Sequence, residues 1–249
     1  KNMKVGSYEH KKLFCRSFID SHTPYDPEHL LWPKLDDESL RRLQSIPFWP
    51  DLLRQQRNAA LIVRTYAQTI RDPLMKEAIA LLAEEEEGLA NQLSSMMECY
   101  GIATPSLQSI QMPNKIESAF IDNGFEGCLD SFLGFGLLGV AQQAHYLPDA
   151  LLQVFDSSLE DKARRIIFFI NWWTYWNIKL KQRSGWSEVR GIRSLWTRRR
   201  NLIRLLSAFN KEEFEEVSPG STFIAERLLG EMTLEQFLKI CQAEQAHRM

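Results

Sequence analysis

Residues 74–99 run without a break, and their apolar side chains recur at three- and four-residue steps between Asp72-Pro73 and Tyr100-Gly101. A stripe of Ala78, Leu81, Leu82, Glu85, Leu89, Gln92 and Met96 falls on one side of a helix and on both faces of a strand. Proline suits a first helical turn and glycine suits a C-terminal stop, so both ends read as helix boundaries. The same period governs 51–71 through Leu53, Ala60, Val63, Ala67 and Ile70. No strand-like alternation of useful length occurs. The expected fold class is all-α, with the helices packed as a bundle.

The remaining chain extends that pattern. A helix is expected over 115–145, kinked near Gly124 and Gly127, followed by helices at 148–155 and 159–183. The last of these carries Ile166, Phe169, Trp173 and Trp176 on one side. A basic helix over 188–209, a short one over 223–229 and a terminal one over 234–247 complete the set. Thr233-Leu234-Glu235-Gln236 matches a capping box at the last entry. Gly134, Gly136, Gly139, Ala141 and Ala144 would let a neighbouring helix, from this chain or a second copy, approach closely. The first 50 residues carry Pro24, Pro27, Pro33, Pro47 and Pro50 and read as irregular, apart from one short helix over 38–43 capped by Asp36 or Asp37. The organisation expected is an N-terminal extension (1–45), a helical core (46–183) and additional C-terminal helices (184–249) of the same domain, within a chain long enough for one large core.

Charge and cysteine usage exclude several function classes. A formal net charge of -2 supplies no global attraction to nucleic acid or anionic lipid. Arg190, Arg193, Arg198, Arg199, Arg200 and Arg204, with Trp186 and Trp196, make a local basic stretch. It also has an ordinary buried face, and Glu212, Glu213, Glu215 and Glu216 follow it, so it reads as a solvated or partner-facing helix rather than a nucleic-acid site. Cys15, Cys99, Cys128 and Cys241 form no C-x-x-C pair, which argues for free thiols and a cytoplasmic location over a zinc or redox motif. The longest apolar candidate, 132–141, is short and glycine-rich, so no membrane span is expected. His10, His22 and His29 follow no metal-ligand spacing, and His145 reads as a hydrogen-bonded core or surface group.

Four segments carry a family resemblance. They are Pro47-Phe48-Trp49 with Leu52-Leu53-Arg54; Asp72-Pro73-Leu74 with Ala83-Glu84-Glu85; the run from Asp130 to Leu137; and the run from Ala163 to Trp172. Over about residues 47–180 the chain resembles ferritin-like proteins related to bacterial di-iron oxidases and, more distantly, the aldehyde-deformylating oxygenases. The resemblance implies a ferritin-like four-helix bundle with extra N- and C-terminal helices. In such bundles two helices give one Glu each and two give Glu-x-x-His pairs, because positions i and i+3 share a helical face.

Those ligand positions are mostly replaced. Glu85 stands in a Glu slot, but Gly88 stands where its histidine should be. Lys162 and Arg165 fill the Glu and His slots of the fourth core helix, and Gly139 takes the position of the third helix's Glu. The first core helix has no carboxylate between Leu52 and Arg71. Lys162 and Arg165 would repel metal. The expectation is a degenerate di-iron site without a cofactor, in which Glu85 pairs with Lys162 or Arg165 as a crosslink, or Lys162 and Arg165 line a pocket for an acidic molecule. Glu86 and Glu87 read as surface charge. The expected function is binding of a small acidic or apolar ligand, or an accessory role with a protein partner or as a homodimer. The rivals are an iron- and dioxygen-dependent oxidase acting on a small organic or fatty-acyl substrate, and a metal-independent enzyme with Glu85 as base.

Overall fold

A computed structural model describes residues 3–24, 30–106, 113–184, 227–228 and 230–249. The described residues are helical, without strands. The elements are α1 (Tyr8–Asp20), α2 (Asp37–Gln44), α3 (Trp49–Thr69), α4 (Pro73–Cys99), α5 (Ile116–Gln143), α6 (Asp149–Ser184) and α7 (Leu234–Arg248). The expected helix at 188–209, all but 227–228 of the one expected at 223–229, and His29 lie outside the described residues.

Local chemistry explains most boundaries. Asp72 caps α4 by accepting from the Met75 N–H at 2.9 Å, with Pro73 in the first turn. At the far end Gly101 turns left-handed at φ 64, and the Ile102 N–H closes on the Met97 carbonyl at 2.7 Å. α5 ends the same way without a glycine: His145 takes φ 47 and the Tyr146 N–H reaches the Ala141 carbonyl at 3.1 Å. α7 opens with the expected capping box between Thr233 and Gln236.

Three expectations change. The N-terminal stretch contains a 13-residue helix, α1, capped by Ser7. Its apolar stripe is brief, Phe14, Cys15 and Phe18, because His10 and Lys11 occupy two further buried positions. The two helices expected at 148–155 and 159–183 are one continuous α6 of 36 residues. Ser157 and Ser158 donate their hydroxyls to the Gln153 and Val154 carbonyls at 3.2 Å, so the serine pair stays within the helix. α5 runs through Gly124 and Gly127 as one helix, and an 18-residue window of it reaches a mean hydropathy of 1.2, enough to cross a membrane by length and composition alone, contrary to the short run expected. Here α5 packs against α3, α6 and α7.

α3 pairs with α4, α5 with α6, and α3 with α5, while α1 packs against both α4 and α6. One apolar cluster at one end joins Phe14, Phe18, Tyr66, Phe120, Phe168 and Trp172. A second joins Leu43, Trp49, Leu53, Met96, Met97 and Leu151. α7 lies on the glycine face of α5, where a Cβ at Gly136 would fall 2.2 Å from Cys241 Sγ. The close approach foreseen for the small-residue series is therefore made within the chain.

Candidate functional site

Residues of α3, α4, α5 and α6 enclose a cavity of about 390 Å³. Leu82 and Glu86 face it from α4, one turn apart, and Lys162, Arg165, Ile166 and Phe169 face it from α6 at helical spacing. Gln56, Ala59 and Val63 line it from α3, and Phe120, Gly127, Asp130 and Ser131 from α5. At Gly124 a Cβ would fall 2.0 Å from the Phe169 ring, so this glycine is what allows α6 so near.

Arg165 is the buried cation there, with 6% of its surface exposed. Its Nη1 donates to the Glu85 backbone carbonyl at 3.2 Å, and its Nε lies 3.8 Å from Glu86 Oε1. Neither Nε nor Nη2 has a hydrogen-bond partner. Gln56 Oε1 is likewise buried and unpartnered. Buried donors and acceptors carry a desolvation cost when they are left unmet, so these atoms call for a polar partner, an ordered water or a ligand group.

Lys162 and Asp130 feel the same environment. Burial pushes the Lys162 ammonium pKa down and nearby Arg165 pushes the same way, while the Glu86 and Asp130 carboxylates oppose both. Burial raises the Asp130 carboxyl, opposed by Lys162. Asp130 stands at the open rim, where water limits that effect. Beyond Leu52, Gln56 and Lys162, which line both spaces, a second chamber of about 240 Å³ is almost wholly apolar, walled by Trp49, Leu93, Met96 and Phe155 among others.

Glu85 is not in the cavity. It lies on the α1 side of α4, 8% exposed, where Arg164 and His22 both hold Oε1, His22 Nδ1 at 2.7 Å. Arg164 also donates to the Phe18 carbonyl at 2.7 Å and lies 4.4 Å over the Phe18 ring. The crosslink expected from Glu85 therefore runs to Arg164 rather than to Lys162 or Arg165. α4 presents its cavity-facing carboxylate one residue later, at Glu86, which had been read as surface charge. Glu87, by contrast, is half-exposed and pairs with Arg64.

Gly88 is buried beside Glu85 along the groove shared with His22 and Arg164. Gly139 faces α7, where a Cβ would meet Glu244 Cγ at 3.2 Å, so it is not part of the cavity. Of the residues singled out in the sequence, the cavity brings together Lys162 and Arg165 and leaves Glu85, Gly88 and Gly139 outside. Gln56, Glu86 and Asp130 were missed. The signal for Glu86 was available: it lies four residues after Leu82 and three before Leu89, on the buried stripe.

The donor set does not suit a pair of iron ions. Among the described residues no three His, Cys, Asp or Glu side chains converge to hold a metal, and two cations, Lys162 and Arg165, line the cavity. The unpartnered guanidinium edge of Arg165 calls for an acceptor, the opposite of what a metal offers. No disulfide links the four cysteines, and burial pushes the Cys15 thiol up to about 12. No family model, no curated protein and no solved structure matches the chain.

Proposed function

We propose that this chain is a ferritin-like four-helix bundle, with α3–α6 as its core helices, whose central cavity binds a small organic acid in place of a di-iron centre. The observation that carries the reading is Arg165: a guanidinium in the cavity wall, 6% exposed, whose Nε and Nη2 have no hydrogen-bond acceptor in the protein, Nε lying 3.8 Å from the Glu86 carboxylate. A carboxylate suits that fork, and charge-assisted hydrogen bonds of this kind are the strong ones. Lys162 adds a second positive charge, and Gln56 Oε1 accepts from a hydroxyl or amide N–H on the same ligand. The four-carboxylate, two-histidine ligand set of di-iron bundles has no counterpart in this lining, so binding without a cofactor is the function argued for.

The test is calorimetric titration of the purified full chain with 4-methylpentanoate, together with elemental analysis of the protein. One saturable site per chain is expected, and Arg165→Met should weaken it about tenfold or more, since a hydrogen bond to a charged group contributes about 1.5–3 kcal/mol. Failure of several small carboxylates to bind saturably, or retention of about two iron or manganese ions per chain as in di-iron bundles, would overturn the proposal.

A further inference from the structure

Lys162 occupies an unusual place: its side chain lines both the polar cavity and the apolar chamber beyond it. No hydrogen bond or ion pair to a described residue holds its ammonium. Arg165 lies one turn further along the same face of α6, with its own guanidinium edge unmet. Residues three apart on a helix are neighbours on one face, so one ligand can reach Arg165 with a carboxylate and Lys162 with a carbonyl. The apolar chamber of about 240 Å³ is open to whatever substituent that ligand carries.

We propose that Lys162 forms a reversible imine with a 2-oxo acid, the carboxylate of which is held by Arg165 and the side chain of which enters the apolar chamber. This rests on the proposed acid-binding role of the cavity and names the ligand class. In the step, the neutral Lys162 amine attacks the ketone carbon, a C–N bond forms, and the oxygen takes a proton to give a carbinolamine. The carbinolamine then loses water: its oxygen leaves with two hydrogens, a C=N bond forms, and amine plus ketone have become imine plus water with no change of redox state. The charged and titratable groups lining the two spaces with Lys162 are Glu86 from α4, Glu126, Cys128 and Asp130 from α5, Tyr146 after α5, and Arg165 from α6; α3 contributes only amides, Trp49 and apolar groups. Burial favours the neutral amine, opposed by the Glu86 and Asp130 carboxylates and assisted by Arg165, the net direction being toward the neutral form. Asp130, whose carboxyl pKa burial raises, lines the same cavity and is the group that supplies the proton to the departing hydroxyl.

The experiment incubates the full chain with 4-methyl-2-oxopentanoate and sodium cyanoborohydride, then reads intact mass and maps the modified peptide. A single reduced adduct at Lys162 is expected, absent from Lys162→Arg. Arg165→Met should slow adduct formation about tenfold for the oxo acid, from the same loss of a charged hydrogen bond. The slowing should be far smaller for 3-methylbutanal, which has the carbonyl and no acid. Saturable binding of 4-methylpentanoate with no Lys162 adduct would overturn the imine and leave acid binding standing; absence of both would end both proposals. Labelling spread evenly over surface lysines would also overturn it.

Discussion

Lys11 of α1 and Asp72 at the start of α4 form an ion pair in which the lysine side chain is 7% exposed and the carboxylate simultaneously caps α4. One carboxylate thus serves two elements, ending the exposure of α4's first N–H groups and neutralising a cation buried by α1. Burial opposes charge on both partners; the hydrogen bond and charge each supplies to the other, with the Met75 N–H on Asp72, outweigh it. The Lys11 pKa is accordingly raised above 10.5 and that of Asp72 held below 3.8.

Asp72→Ala should therefore cost about 2–4 kcal/mol, combining a lost cap with a buried cation left alone. Asp72→Asn keeps an acceptor for the Met75 N–H and should cost less. The sign of the pH dependence follows from the two directions. The Asp72 contribution is present above 3.8 and is lost as pH falls through its lower folded value; the Lys11 contribution is present below 10.5 and is lost as pH rises through its higher one. In urea melts, the stability gap between wild type and Asp72→Asn should stay flat between those limits and close outside them. A gap that widens toward acid would contradict the pairing.

The Glu85–Arg164 pair is expected to be asymmetric. Arg164→Leu leaves a carboxylate that is 8% exposed with only His22 on Oε1 and nothing on Oε2. Glu85→Leu leaves an arginine that still donates to the Phe18 carbonyl and stacks on its ring. The first change should cost about 3–5 kcal/mol and the second less, because an unmet buried charge dominates the loss. Equal losses in denaturant titrations of the two variants would show that Glu85 is better hydrated than its burial implies.

What could be read from the chain and what could not divides along physical lines. Caps and stops are local, so Asp72-Pro73, Tyr100-Gly101 and the Thr233 capping box put α4 and α7 within a residue or two of their ends. α1 escaped because its buried face includes His10, whose Nδ1 accepts from the Gly6 N–H at 3.2 Å and whose Nε2 pairs with Asn171 Oδ1 at 3.1 Å. Polar residues satisfied from elsewhere in the fold look solvent-facing in a sequence. The choice between Glu85 and Glu86 failed for a related reason. Both lie three or four residues from Leu82 and Leu89, and only the docking of α1 against α4 decides which faces His22 and which faces Lys162. On α6 the i, i+3 spacing of Lys162 and Arg165 was enough to put both on one cavity, because they share a single helix face.

His145→Gly should stabilise the protein. The residue closes α5 at φ 47, in the left-handed region that costs a side chain about 1 kcal/mol relative to glycine. Its imidazole is exposed, with only a 3.8 Å approach to Asp149, so little is lost with it. Part of the gain is offset by the larger entropy of glycine in the unfolded chain, leaving about 0.5 kcal/mol. A fall in the urea midpoint would mean that the Asp149 contact outweighs the backbone strain.

Alanine substitutions along α5 should separate two kinds of glycine. At Gly136 an added Cβ would lie 2.2 Å from Cys241 Sγ and 3.0 Å from the Phe237 ring, both fully buried side chains of α7. Neither neighbour has space to retreat, so Gly136→Ala should push α7 away and cost about 1–3 kcal/mol through overpacking. At Gly134 the nearest atom is Leu159 Cδ2 at 3.7 Å, an ordinary contact. Gly134→Ala should therefore gain about 0.5–1 kcal/mol from helix propensity alone. Hydrogen exchange offers the sharper readout, because loss of α7 docking predicts faster exchange of amides in Leu234–Arg248 for Gly136→Ala and unchanged rates there for Gly134→Ala. Unchanged α7 protection in Gly136→Ala would mean that α7 does not rest on the glycine face of α5.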